Sequence, residues 1–220
     1  MDLKKKITKI LPEYAILPII LMLALNVFTY NGTRLFTKGL YHYDLTLPID
    51  RATPFIPPVF IAIYFLAYVH WILGFWLIAK ESKQICYRFI TAEMIAKTLT
   101  LICFFVIPTT NVRPEVVGDD IWSIITRILY KMESADNLFP SIHCLESWLC
   151  FRGALYLKKP GKWYKWVVLV CALSVFASTV FLKQHVVLDI AGAIVVVEIG
   201  ILVSGLIFRG DKKTLAEGIN

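Results

Sequence analysis

Charge is scarce in this chain. Asp, Glu, Lys and Arg make up 18% of its 220 residues, against 58% hydrophobic side chains, an apolar share well above that of a soluble domain. The few charges gather mostly between long apolar stretches, which excludes a soluble globular domain and indicates a polytopic membrane protein. Paired cysteine is lacking as well. Cys86, Cys103, Cys144, Cys150 and Cys171 are odd in number and scattered, with no CxxC pair, so neither a disulfide framework nor a thiolate metal site is expected. They read as small apolar packing residues, Cys144 alone lying beside a candidate reactive residue. No cluster of side chains has metal-ligand spacing, and neither a metal nor any other cofactor is expected. No linker, low-complexity tract or repeat divides the chain, which predicts a single integral membrane domain over residues 1–220. No nucleic-acid motif is present either. The formal charge of +7 is explained by basic residues beside span ends, which set topology and meet anionic headgroups.

What the chain does have is apolar runs of nearly the 20 or so residues that cross a hydrocarbon core as helix. Six can be drawn: Tyr14 to Tyr30, Pro58 to Ala79, Phe89 to Ile107, Ile142 to Leu157, Trp166 to Leu182 and Val186 to Phe208. The expected fold is therefore all-α, a six-transmembrane-helix bundle. The first run starts from Lys4, Lys5, Lys6 and Lys9 like a signal sequence. It lacks a small-residue cleavage site before Asn31-Gly32, so it is expected to stay as an anchor.

Lys and Arg sort to one side. With the N-terminus inside, the inner side receives Lys4, Lys5, Lys6, Lys9, Lys80, Lys83, Arg88, Lys158, Lys159, Lys162, Lys165, Arg209, Lys212 and Lys213. The outer side has about half as many: Arg34, Lys38, Arg51, Arg113, Arg127, Lys131 and Lys183. This predicts a plasma-membrane protein with both termini cytoplasmic and with Arg113, His143 and His185 on the outer face.

Two outer segments are long enough for structure of their own. Residues Asn31 to Pro57, rich in proline at their end, are expected to approach the second span irregularly. Ile121 to Met132 has the spacing of a short amphipathic interfacial helix. Within the spans, Glu93 and Lys97 stand four apart and are expected to pair. Glu198 needs a partner at its depth, and Lys97 on a neighbouring helix is one candidate.

Ionisable groups at the mouths of spans point to function, because a buried charge costs about 2.5 to 3.5 kcal/mol on insertion scales. Two short polar clusters stand out: Phe139-Pro140-Ser141-Ile142-His143, and Lys183-Gln184-His185 with Asp189. Metal-free phosphoryl transfer needs a nucleophile, a cradle for the non-bridging oxygens and an acid for the leaving oxygen. On a helix His185 and Asp189 share one face, so the carboxylate can fix the imidazole tautomer and leave the other nitrogen free to attack phosphorus. His143 follows Pro140-Ser141, where free backbone amides and the Ser141 hydroxyl suit an anion, and it can act as acid and then base.

At these residues the chain resembles the type 2 phosphatidic acid phosphatase superfamily, over about Asp50 to Gly192. That family's motifs are Lys-x6-Arg-Pro, Pro-Ser-Gly-His and Ser-Arg-x5-His-x3-Asp. They are matched here by Arg113-Pro114, by Pro140, Ser141 and His143, and by Ser178, His185 and Asp189. The resemblance implies a phosphohistidine nucleophile at His185, with Asp189 orienting it, His143 as acid and base, and Arg113 and Ser141 as phosphate ligands. Val106 stands where the family has lysine, Thr179 where it has arginine and Ile142 where it has glycine, so two phosphate-binding cations are missing. Lys183, two positions before His185, is expected to supply part of that charge. Ile107-Pro108-Thr109-Thr110, the Asp50 to Pro58 segment and Lys183-Gln184-His185 look more like the branch that includes inositol phosphorylceramide synthases.

The expected function is a membrane-embedded lipid phosphatase acting on a lipid phosphate at the outer leaflet, with the bilayer and its lipid substrate as partners. The alternatives are a lipid headgroup phosphotransferase and a non-catalytic lipid-binding relative.

Overall fold

A computed structural model describes residues 10–209; Lys4, Lys5, Lys6, Lys9, Lys212 and Lys213 of the expected inner-side cluster lie outside the described residues. The chain is mostly helical. Helix α1 (Glu13–Thr37) is followed by a two-residue strand β1 (Tyr43–Asp44) and a short helix α2 (Pro48–Ala52). Helices α3 (Pro57–Glu81) and α4 (Lys83–Val106) form an antiparallel pair. Next come strand β2 (Thr109–Thr110), α5 (Ile121–Met132), α6 (Ile142–Ala154), α7 (Tyr164–Phe181) and α8 (Val187–Ile207). The two strands pair in parallel, Tyr43 with Thr109 and Asp44 with Thr110, a small departure from an all-helical chain.

Local chemistry accounts for most helix ends. Pro57 and Pro58 open α3, where their missing N–H groups cost nothing. Ser82 ends α3 in an extended conformation and its hydroxyl accepts from Ile85 N at 3.2 Å, so one residue stops one helix and caps the next. Asp120 caps α5, accepting from Trp122 N and Ser123 N, and α5 covers the stretch with amphipathic spacing.

Five helices, α1, α3, α4, α7 and α8, are long and apolar enough to cross a membrane. The stretch expected as a fourth span, Ile142 to Leu157, forms only the 13-residue α6. At 1.5 Å per residue it is about 20 Å long, short of a hydrocarbon core of about 30 Å. Nine of its 13 residues are buried. Its apolar character comes from lying inside the bundle against α3, α7 and α8.

The first helix also differs from expectation. It runs on past Asn31-Gly32 through one wide turn, Phe28–Gly32, to Thr37. Distant residues hold this extension: Asn137 Nδ2 donates to Thr33 Oγ1 and Thr37 Oγ1 at 3.2 and 3.0 Å, and Arg34 pairs with Asp136 at 2.7 Å. Helix propensity alone would end the helix at the glycine.

Packing between α4 and α8 relies on a missing side chain. A Cβ at Gly200 would sit 2.3 Å from the Ala92 carbonyl oxygen, so the two backbones touch there. Beside this contact the charges of the bundle pair otherwise than expected. Lys97 bonds Glu146 of α6 at 2.5 Å and the Asn26 side chain of α1, and forms no ion pair with Glu93. Glu198 is matched by Arg152 and by Trp148 Nε1 at 2.8 Å, and Lys97 has no part in it. Helical spacing brought Lys97 within reach of Glu93, but α6 presents a carboxylate from directly across the interface.

Candidate active site

The site assembles where three chain segments meet at one end of the bundle. Ser141 is the N-cap of α6: its Oγ accepts from Cys144 N at 3.3 Å, while its own N–H donates to the Asp189 carbonyl at 3.1 Å. The starts of α6 and α8 are thereby joined. Phe139 lies against α8, where a Cβ at Gly192 would come within 2.5 Å of its ring. Thr109 completes the support. Its buried Oγ1 accepts from both Leu138 N and Phe139 N, at 2.9 and 2.8 Å, and fixes the approach to Pro140-Ser141.

The turn before α8 is built on Thr179, whose carbonyl accepts from Gln184 N and His185 N at 2.9 and 3.1 Å. Lys183 takes a left-handed backbone conformation there, with φ of 53°. Its Nζ donates to the Asp50 and Thr53 carbonyls at 2.6 and 2.5 Å, and the Asp50 carboxylate accepts from Val187 N at 2.9 Å at the start of α8. Asn111 Nδ2 donates to the Lys183 carbonyl at 3.0 Å.

His185 and Asp189 meet. Nδ1 and Oδ2 are 3.0 Å apart, both residues are buried, and Oδ2 also accepts from Val186 N at 3.1 Å. A carboxylate so fixed accepts from Nδ1–H and leaves Nε2 with its lone pair, available to an electrophile. The His143 ring centroid is 6.1 Å from that of His185.

His143 sits in an aromatic cage provided by α3. Tyr64 and Trp71 lie 4.4 and 5.3 Å from it between ring centroids. The Tyr64 and Tyr68 hydroxyls are 3.3 and 3.4 Å from Nδ1 and Nε2 respectively. Glu133 closes the cage: it accepts from Tyr64 at 2.5 Å and stands 3.7 Å from His143 Nε2, within range to hold an imidazolium.

Both histidines line one small cavity with Arg113, Arg34, Glu133 and Gln184. Arg113 donates to the Glu133 and Ser134 carbonyls and lies over the Tyr130 ring at 4.9 Å. Burial pulls its guanidinium below the usual value, against the opposing pull of Tyr130 and other neighbours, yet arginine keeps its charge in proteins. Arg34 reaches the cavity from the extended end of α1 and stacks over Tyr30 at 4.2 Å.

Of the residues singled out in the sequence, His143, His185, Asp189, Arg113 and Ser141 come together, Ser141 with its hydroxyl oxygen already accepting a backbone bond. Lys183 does not line the cavity; its ammonium is bound to two backbone carbonyls behind the turn. Arg34, Glu133, Tyr64, Tyr68 and Trp71 were missed. Tyr64, Tyr68 and Trp71 recur at i, i+4 and i+7, a polar-tipped aromatic stripe in an apolar span, and that was the available signal. Arg34 carried none. Among the described residues no three His, Cys, Asp or Glu side chains gather in a way that could hold a metal ion.

Long apolar helices with a carboxylate-held histidine, a second histidine and two arginines at their mouth define an integral membrane protein equipped for chemistry on an anionic group. The chain belongs to the PAP2 superfamily, whose family model matches residues 41–203, and that membership carries a phosphatase-type function. Arg34 lies outside the matched range. No curated protein and no solved structure matches the chain at a significant level.

Proposed function

We propose that this protein is a lipid phosphatase that opens a phosphoester or pyrophosphate at the outer leaflet through a phosphohistidine on His185, without a metal. The observation that carries the reading is the buried His185–Asp189 pair at 3.0 Å facing His143 across a cavity lined by Arg34 and Arg113. The lone pair on His185 Nε2 attacks phosphorus; the N–P bond forms as the P–O bond to the lipid breaks. Burial pushes the pKa of the His143 imidazole down to about 4 against the pull of Glu133, so His143 takes up a proton with the incoming anionic phosphate and gives it to the leaving oxygen. Water then attacks the phosphohistidine while His143 takes a proton back, and phosphate and free His185 result. Arg34 and Arg113 stand against the charge of the transferring group, in place of the two motif cations replaced by Val106 and Thr179. The six-helix arrangement belongs to this proposal, with α6 counted as the fourth member by its place inside the bundle and not by its own length.

A second reading is favoured by one feature. A cleft of about 440 Å³ between α1 and α3 is lined by Tyr68 and Trp71, the residues that touch His143. A lipid alcohol lying there would reach His143 in place of water, and the phosphorylated headgroup would pass to it.

The experiment is to incubate purified protein with a panel of lipid phosphates, with and without an acceptor lipid, in the presence of chelator. Free phosphate in both arms is the expected result, and a new phospholipid formed only with acceptor selects the second reading. Acid-labile label from a phosphorus-labelled substrate should appear on the wild type and be absent from His185→Ala. Full turnover in His185→Ala, or loss of turnover on chelation, overturns the mechanism.

A further inference from the structure

Three arginines converge at the end of the bundle opposite the histidines. Arg88 lies near the start of α4, Arg152 near the end of α6 and Arg209 just beyond α8, whereas His143 and Asp189 lie at the starts of α6 and α8. Arg152 is nine residues along α6 from His143, about 13 Å, and Arg209 is 20 residues beyond Asp189, about 30 Å. All three line one cavity of about 490 Å³, walled by apolar side chains such as Phe89, Leu202 and Phe208.

The charge in this cavity is unbalanced. Glu198 is its one carboxylate, and Arg152 and Trp148 bind it. Among the described residues neither Arg88 nor Arg209 has an acidic partner; Arg88 lies over the Tyr156 ring at 5.1 Å. Gly205 leaves the floor open, since a Cβ there would sit 2.9 Å from an Arg88 terminal nitrogen. Arg88 and Arg152 are half-buried and Arg209 stands exposed at the rim, and together they line a concave, half-apolar space near helix ends, where headgroups lie.

We propose that this cavity is a second anion site, distinct from the catalytic one, that holds the phosphate group of an anionic phospholipid in the leaflet opposite the histidines. The guanidinium groups of Arg88 and Arg209, which have no acidic partner among the described residues, take the phosphate oxygens, which their fork geometry suits, and the apolar walls take the upper acyl chains.

Native mass spectrometry of the purified full-length protein tests this. Phosphatidylglycerol is titrated against a phosphatidylcholine background. The wild type should retain one phosphatidylglycerol that Arg88→Gln/Arg209→Gln binds about thirty-fold more weakly, since each basic residue near a membrane surface is worth about a factor of five to six. Arg113→Gln, at the other end, should retain it. Gly205→Leu, which fills the floor without altering charge, should weaken binding in the same way, and Arg88→Lys/Arg209→Lys should restore most of it. Undiminished phosphatidylglycerol in both the double glutamine variant and Gly205→Leu overturns the proposal. Displacement of the lipid by millimolar inorganic phosphate overturns the lipid assignment and makes the site one for soluble phosphate.

Discussion

Lys183 and Arg34 show how little a side chain's charge says about its task. Lys183 stands two positions before His185 in sequence, yet its ammonium is bound to the Asp50 and Thr53 carbonyls. Its left-handed backbone costs about 1 to 2 kcal/mol, while a hydrogen bond to a charged group is worth about 1.5 to 3 kcal/mol. Two such bonds outweigh the strain, so the turn is held with its φ positive. Lys183→Gly should therefore lower thermal stability even though glycine relieves the backbone, which a melting curve in detergent would show; a more stable variant would mean that the anchoring bonds contribute little. Arg34→Gln and Arg113→Gln should each reduce kcat/KM by about ten-fold or more, the loss of one charge-assisted contact to the transferring group. Wild-type kinetics in Arg34→Gln would leave Arg113 and the Ser141 region as the only cradle. Asp189→Asn should keep the fold and lose about four orders of magnitude in kcat, as tautomer control does in other histidine sites.

At the scale of elements, the site depends on how closely helices approach. The starts of α6 and α8 are tied by the Ser141 N–H to Asp189 carbonyl bond, and α4 reaches α8 through the contact of Gly200 with Ala92. Gly200→Val would drive methyl groups into a backbone carbonyl and force the helices apart. Overpacking of this kind costs about 1 to 3 kcal/mol. The variant should melt at lower temperature while retaining helical circular dichroism, and an unchanged melting temperature would show that the interface can slide. The amphipathic α5 was legible from residue spacing because one face meets α3 and the other does not. The extension of α1 was not legible, since Asn137 and Asp136, more than 100 positions away, hold the turn beyond Gly32.

For the whole molecule, we propose from the distribution of Lys and Arg that the histidines face outside. A cysteine introduced at Thr37 or Gly118 should react with an impermeant thiol reagent in intact cells, and one at Gly161 should not. Labelling at Gly161 alone would put the active site on the inner leaflet and the three-arginine cavity on the outer one.

Composition and hydropathy were enough to mark this chain as a helical membrane protein, because a segment that must bury its own backbone hydrogen bonds in hydrocarbon writes its requirement into a contiguous run of residues. Local spacing likewise picked out His185 with Asp189, although the structure puts His185 in the turn before α8 and Asp189 in its first turn instead of both on one helix face, and Ser141 with His143 at a helix start. Only the tertiary structure decided the rest. It made Ile142–Ala154 a short buried core helix, matched Lys97 to Glu146 and Glu198 to Arg152, and brought Arg34, Glu133 and the Tyr64, Tyr68 and Trp71 stripe around the two histidines. Apart from the helical spacing of Tyr64, Tyr68 and Trp71, each of these rests on contacts between residues far apart in the chain, and such a contact leaves no period or spacing by which either partner could be recognised from its neighbours.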